Sequence, residues 1–457
     1  MTTMGLMRSF AVLAVLGMPV GNAGAATLTA DDAVKIALKS STPVVNSEAA
    51  VLDARGGVHG ARAGVLPRLS ASFNRSGSFT ENQPTSGARV VGGQIINVTG
   101  SNDIDSRSTS KSISGSWSVV DLSALKSLSS ARTGLAASRK GLQATRNDVA
   151  LETRRQFYEV VKAIRLAEVA AGALRLSRDD ERRVRAMFEV GSVSKSDLLK
   201  AQVRTAQSEL DSLTAINAVT VQRIVLANQL GVPASSLGEI DTVLSADRRD
   251  YDEATLLAEA TQNRPDLQAA VLEERAARAG LAASRFSRLP SLNLSGSVTF
   301  DPRFTQKSTT DTLPGAPPVV SSFRSEDDRE WRGQLAVNWT FFDGFATSGQ
   351  IASSRARLIR AEETRKALQR NLASEVHQQL LAYTEAVEQN HVAQRGLESA
   401  TENLKLTQEK YNVGSSTILE LIDAQVQLQT AQSNVVRALA AIHVAEAQIN
   451  RVRGQSQ

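Results

Sequence analysis

The sequence contains no cysteine. That excludes a disulfide frame, a thiolate metal site and a cysteine-borne lipid anchor. Histidine is almost as scarce: His59, His377, His391 and His443 lie far apart, so no imidazole cluster exists for catalysis. Aromatic residues make up 4% of the chain, few for a compact globular core. No glycine-rich phosphate loop follows a strand and no nucleophile has partners, so an enzyme finds no support. No apolar run reaches the ~20 residues of a transmembrane helix.

Alanine, serine, leucine, glutamine, glutamate and arginine dominate instead, the composition of long helices packed on each other. The formal net charge is +5 over 457 residues. Both signs are interspersed along helical stretches, which reads as solvated faces and not as a nucleic-acid stripe. At the amino end, Arg8 precedes the apolar run Phe10 to Met18, then Pro19 and the small-residue site Ala23-Gly24-Ala25. This predicts a signal peptide over 1–25, cleaved after Ala25. An exported chain without an apolar helix can enter a membrane only as strands.

The chain says most things twice. Met187 to Gln202 reads MFEVGSVSKSDLLKAQ, and Lys410 to Gln425 reads KYNVGSSTILELIDAQ. Leu66-Pro67 matches Leu289-Pro290, and Pro43 matches Pro265. Trp117 to Asp121 (WSVVD) matches Trp339 to Asp343 (WTFFD), and Leu28 to Asp31 matches Tyr251 to Ala254. All five anchors keep an offset of 222 or 223. The spacing is too long for a solenoid unit. It predicts two repeats, 26–235 and 236–457, in one domain.

Each repeat reads alike. A short helix is capped at its start, with Thr29 and Asp32 in the first copy. A helix of some 24 residues runs from Pro43 to Leu66 and stops at Pro67. Two strands follow, about 68–78 and 111–120 in the first repeat and 290–300 and 332–342 in the second. In the strands, Ile113, Gly115, Trp117 and Val119 alternate with serines. Leu292, Leu294, Gly296, Val298 and Phe300 alternate with Asn, Ser and Thr, and Leu335, Val337, Trp339 and Phe341 with small or polar residues. Period-two alternation separates two faces. A soluble sheet on a core would give it too. Here the polar face is nearly uncharged and the chain is exported, as in a membrane barrel. Ile113, Trp117, Leu292, Leu294, Val298, Leu335, Val337, Trp339 and Phe341 are the expected lipid face. Four strands cannot close a barrel, so several chains must share one. Thr80 to Lys111 and Asp301 to Glu330 read as long, polar, mobile loops.

Long helices complete the repeat. Asp121 to Phe188 and Asp343 to Tyr411 each predict a helix on the order of 100 Å. Leu368, Leu372, Val376, Leu380, Tyr383 and Val387 recur every three or four residues, so these helices pack side by side. Returning helices over Ser194 to Leu230 and Thr417 to Val452 stack on the 24-residue helices to match the long ones. The glycines at 191 and 414 sit where each hairpin turns back.

The two tip motifs, the LPRLS and LPSLNLSGS strand starts and the WSVVD and WTFFDG joins resemble the TolC-type outer-membrane efflux proteins over essentially the whole mature chain. The resemblance implies an α+β membrane fold. Three chains form a 12-stranded barrel in the outer membrane of a Gram-negative-type bacterium, continued by a periplasmic helical tunnel. It implies tips that dock on a periplasmic adapter (a membrane fusion protein), here Val190, Gly191, Ser192, Val413, Gly414 and Ser415. An inner-membrane pump of RND, ABC or MFS type would drive export through the duct. It implies an acidic entrance at Glu420 and Asp423, with Tyr411 beside it.

Independently of the family, Glu420 and Asp423 are three apart and share a helix face. Repeated around a threefold axis they would form a ring that attracts cations. An exposed helix face is the plainer alternative. No metal or cofactor is assigned. Ser416 and Thr417 stand where some relatives carry a basic residue at the entrance. A type I protein-secretion duct is the alternative use. A periplasmic adapter, with one hairpin per chain, fits the duplication poorly, and a free-standing porin would not need such helices.

Overall fold

The computed structural model describes residues 27–245, 249–311, 319–325 and 329–455. The expected signal peptide, 1–25, lies outside the described residues. Among those residues no helix is long and apolar enough to cross a membrane.

Two helices run the whole length of the helical part. They are α3 (Leu122–Glu189, 68 residues) and α7 (Ala346–Asn412, 67 residues). At 1.5 Å per residue each is about 100 Å long. The shorter helices stack in pairs beside them: α2 (Thr42–Arg62) with α4 (Lys195–Leu230), and α6 (Pro265–Phe286) with α8 (Ile418–Val452). Toward the tips the order is α4, α3, α8, α7, and toward the sheet it is α2, α3, α6, α7. Short helices α1 (Ala30–Ser40) and α5 (Glu253–Asn263) lie at the mid-height joints. α1 is capped as expected: the Asp32 N–H donates to Thr29 Oγ1 at 3.2 Å. The α2 helix ends at Arg62, four residues short of Leu66, in turns that lead into Pro67.

Three cores hold this array. Phe157, Val160, Val161, Leu226 and Leu230 fill the first joint. Leu372, Val376, Tyr383, Ile442 and Ile449 fill the second, with Leu368, Leu380 and Val387 half-buried against them. That is the three-or-four-residue stripe of α7, laid against α5 and α8. The third core lies behind the tips.

All described strands belong to one antiparallel sheet. It comprises β1 (Arg68–Val91), β2 (Gln94–Val120), β3 (Ser291–Phe300), β4 (Arg303–Asp311), β5 (Val319–Ser325) and β6 (Arg329–Asn338). β3 and β4 lie in line along one edge of β2, interrupted at Asp301-Pro302, and β5 and β6 follow in the same way. The proline has no N–H for the ladder, which accounts for the break. Four ribbons therefore stand side by side, the expected number.

The expected loops are corrected. Thr80 to Lys111 is a hairpin paired to its end, where Gly92 (φ 61°) and Gly93 (φ 88°) make the turn. Two consecutive positive φ values match the twist of the flanking strands. Its Ser, Gly and Asn content suggested a loop. Backbone pairing needs no apolar side chains, and over Gly100 to Ser108 β2 also has β4 on its other edge. In the second repeat β4 and β5 likewise replace the described part of the loop.

The apolar face is assembled in register. Ile113 pairs with Val298, and Trp117 with Leu294, which pairs in turn with Leu335. Leu292 pairs with Val337. The opposite face carries serine pairs, Ser70 with Ser114 at 2.7 Å and Ser72 with Ser112 at 2.8 Å. Two details depart from expectation. A bulge between Ser118 and Val120 sets Val120, not Val119, opposite Leu292. β6 ends at Asn338, so Trp339 and Phe341 lie beyond the ladder. The Trp339 indole N–H donates to the Arg288 carbonyl at 3.1 Å, as that of Trp117 does to Val65 at 3.0 Å. Each indole ties the strand end to the end of the neighbouring helix.

Candidate functional site at the paired helical tips

The two hairpin tips are built alike. After α3, Gly191 takes φ 77°, and after α7, Gly414 takes φ 77°. The Ser192 N–H closes on the Met187 carbonyl at 2.8 Å and the Ser415 N–H on Lys410 at 2.9 Å. This is the hydrogen bond that satisfies the last carbonyls of a helix ending in a left-handed residue. A Cβ at either glycine would meet nothing within 4 Å, so backbone geometry alone demands glycine there. Ser194 then caps α4 and Thr417 caps α8. Val190 is left 76% exposed and Val413 78% exposed, with Ser192 and Ser415 also at the surface. Two apolar side chains at the extreme end of a polar array are what a partner surface would cover.

Behind the tips the two hairpins meet. Val184, Ala201, Tyr411, Ile418 and Leu421 are buried together. Tyr411 thus belongs to the tip core, whereas Glu420 and Asp423 are exposed on α8. Burial pushes the Tyr411 phenol above its ordinary range. Its hydroxyl is buried without a hydrogen-bond partner among the described residues.

The carboxylates differ between tips. Asp197, in the first, accepts from Ser194 Oγ at 2.7 Å and from Lys200 Nζ at 3.3 Å. Those contacts, Ser194 first, hold it below the ordinary range. In the second tip Glu420 accepts from Ser416 Oγ, which likewise holds it low. Asp423 accepts from Gln427 at 2.6 Å. Neither forms an ion pair among the described residues, although the Lys410 charge acts on Glu420 from a longer distance. Among those residues no cluster of metal-ligating side chains occurs.

One contact escaped the sequence. Asp180 on α3 is 5% exposed, and its Oδ2 accepts from Gln425 Nε2 on α8. The Arg183 Nη1 lies 3.4 Å from its other oxygen. Burial pushes the Asp180 carboxyl above its ordinary range, against the Gln425 hydrogen bond and the Arg183 charge. In sequence Asp180 sits in the charged run RDDERR, which reads as a solvated face. Only the shared glutamine of the two tip motifs, Gln202 and Gln425, offered a hint.

Comparison with known proteins agrees with this architecture. A profile of the family described as "Outer membrane efflux protein" matches residues 33–232 and again 256–455. The chain is 25% identical over 273 residues to nodulation protein T of Rhizobium leguminosarum bv. trifolii, covering 58% of this chain and 54% of that protein. It is 24% identical over 306 residues to the outer membrane protein TolC of Vibrio cholerae, covering 65% of each. The aligned part thus spans about half to two thirds of these relatives. In fold it is similar to the CmeC outer membrane channel of Campylobacter jejuni, with a TM-score of 0.75, 15% identity and 93% of this chain on 85% of that one. It is also similar to the open-state MtrE channel of Neisseria gonorrhoeae, with a TM-score of 0.70, 17% identity and 93% of this chain on 89% of that one. With one profile match in each repeat, together covering most of its length, the chain belongs to the outer membrane efflux protein family.

Proposed function

We propose that three copies of this chain form a channel in the outer membrane that serves as the exit duct of a tripartite export machine. The observation that carries this reading is that one molecule is open on both sides along its whole height. The sheet ends in the unpaired outer edges of β1 and β6. In the tip-ward half the helical array ends in α4 and α7. α4 exposes Leu199, Val203, Leu210 and Leu213, and α7 exposes Ile359, Leu381, Val392 and Leu406. A cleft of about 830 Å³ between α7 and α8, lined by Val392, Gly396 and Ala438, opens nearby. Unpaired strand edges in lipid cost several kcal/mol per group. Closure by further copies satisfies strands and helices together, and three four-ribbon sheets make a 12-stranded barrel.

In this reading Ile113, Trp117, Leu292, Leu294, Val298, Leu335 and Val337 face lipid. The serine face lines the lumen. Val190 to Ser192 and Val413 to Ser415 dock on a periplasmic adapter that links the duct to an inner-membrane pump. Glu420 and Asp423 from three chains form an acidic ring at the entrance. The test places a photo-cross-linking residue at Ser192 and at Ser415 in living cells. Capture of an adapter is expected from both. Outer-membrane-inserted protein that captures nothing from either tip would overturn the export assignment.

A further inference from the structure

The sheet outruns its own apolar face. β2 is 27 residues long, but β3 and β6, which carry most of that face, have ten each. Ten residues tilted by about 40° rise about 25 Å, the height of a lipid-facing band. Above them the ladder goes on. β4 pairs with β2 from Ser108–Arg303 to Gly100–Asp311, and β5 pairs with β4 from Arg303–Ser325 to Thr309–Val319. Four ribbons thus stand side by side at both heights: β1, β2, β3 and β6 below, and β1, β2, β4 and β5 above. β4 has nine residues. At the same tilt such a strand adds about 23 Å.

The two faces behave differently across the break at Asp301-Pro302. The serine face continues in kind. Below, Ser72 bonds to Ser112. Above, Ser106 Oγ lies 3.4 Å from Thr305 Oγ1, and Thr309 Oγ1 donates to Asn102 Oδ1 at 2.7 Å. The opposite face changes. Residues directly opposed in the ladder share a face, as do alternate residues of one strand. The face of Ile113 and Trp117 therefore carries Lys111, Arg107, Asp105 and Asp103 higher on β2, Arg75 on β1, and Gln306 and Ser308 on β4. Phe79 and Phe304 stand singly among them. Arg107 pairs with Asp105 at 2.9 Å. Charges of this density belong in water, so the lipid ends near Lys111 while the lumen does not.

We propose that the barrel has a second tier outside the bilayer, in which the free edge of β5 in one copy hydrogen-bonds to β1 of the next. The partner is a second copy of this chain, because both tiers hold four ribbons and so close at the same circumference. β1 runs through both tiers, and a neighbour seated on its lower part brings β5 beside its upper part. A bulge between Thr80 and Gln83 bends β1, pinned where the Asn82 N–H donates to Asp103 Oδ1 at 3.0 Å. Pro84 beyond it has no N–H to give, so the new pairing falls on residues 75–80. The duct then opens about 23 Å beyond the lipid, and cargo leaves clear of the outer leaflet. The proposal rests on the reading of the sheet as membrane-spanning and shared by three copies.

The chain has no cysteine, so introduced thiols allow a direct test. In the full chain, Val320→Cys on β5 is combined in turn with Arg75→Cys, Gly77→Cys and Phe79→Cys on β1. Within one chain these strands lie three spacings apart, about 14 Å. A disulfide needs Cα atoms within about 7 Å, so any bridge joins two copies. Oxidation in outer membranes is expected to turn monomer into covalent dimer and trimer for at least one pair. The control is the lower tier, Leu335→Cys with Leu69→Cys, Ala71→Cys or Phe73→Cys. Lower bridges without any upper bridge would overturn the proposal and leave the shared barrel standing. Absence of both would overturn the three-copy reading beneath it. A second readout needs no bridge. A thiol reacts as its thiolate, which apolar surroundings suppress. A polymer-linked maleimide too large to cross the outer membrane is added to intact cells. It should label the Gln306→Cys variant and spare the Leu335→Cys variant. A Gln306→Cys variant that reacts only after denaturation would overturn the proposal. Labelling of the Leu335→Cys variant in intact cells would instead overturn the membrane reading itself.

Discussion

Tyr411 separates two accounts of how the entrance is held. If its hydroxyl tied the tips together, Tyr411→Phe would remove a hydrogen bond, loosen the entrance and cost about 1 kcal/mol. The structure predicts the opposite. The ring is buried among Val184, Ala201, Ile418 and Leu421, and the hydroxyl has no partner there. A buried polar group left without a hydrogen bond costs about 1–3 kcal/mol. Phenylalanine keeps the ring contacts and removes that cost, leaving only a small void where the oxygen was. Tyr411→Phe is therefore expected to stabilise each subunit by about 1 kcal/mol. The assay pairs thermal unfolding of the purified channel, followed by circular dichroism, with resting conductance in planar bilayers. A higher midpoint with unchanged resting conductance is expected. A lower midpoint with raised conductance would refute the reasoning and restore the hydroxyl as a lock.

Three further outcomes follow from the tips. Burial raises the Asp180 carboxyl, so the folded chain binds its proton more tightly than the unfolded chain does. Stability of the tip contact therefore falls as pH rises from the ordinary aspartate range through the raised value, and is flat above it. Asp180→Asn should abolish that dependence and protect the α3–α8 contact at neutral pH, read by amide hydrogen exchange; unchanged pH dependence would count against it. Gly191→Ala and Gly414→Ala should each cost about 1–2 kcal/mol, because both glycines have left-handed backbones in open space. Unfolding midpoints that stay put in both variants would contradict this. Glu420→Ala with Asp423→Ala should lower cation preference and divalent block in single-channel recordings, and unchanged selectivity would remove the acidic ring.

Much of the fold was legible because its signals are local. The glycine at each tip, the capping Thr29 and the stripe from Leu368 to Val387 act within one or two helical turns. The apolar strand face was legible up to the bulge at Val120, since alternation cannot reveal an extra residue in one strand of a pair. Alternation extends β6 through Trp339, because the indole bond to Arg288 that takes it out of the ladder lies in tertiary space. The hairpin from Thr80 to Lys111 was misread for a related reason. Its serines and glycines pair through backbone groups, which side-chain polarity does not report. The Asp180–Gln425 contact joins residues 245 positions apart, and neither residue announces it.

The position of β2 has a consequence for assembly in time. Its lower half hydrogen-bonds to a strand from the other repeat, as in the Ser118–Asn293 bond across 175 residues. Contacts that distant in sequence form slowly, whereas each helical hairpin can fold from its own neighbours. The first repeat alone offers one two-stranded ribbon, marginal in water and too narrow to present a continuous apolar band. In the proposed channel the membrane-facing wall therefore comes into being only once the second repeat has arrived. A chain stopped after α4 would have most of a helical hairpin and no wall. In that reading, commitment to the bilayer is deferred until both repeats have been delivered.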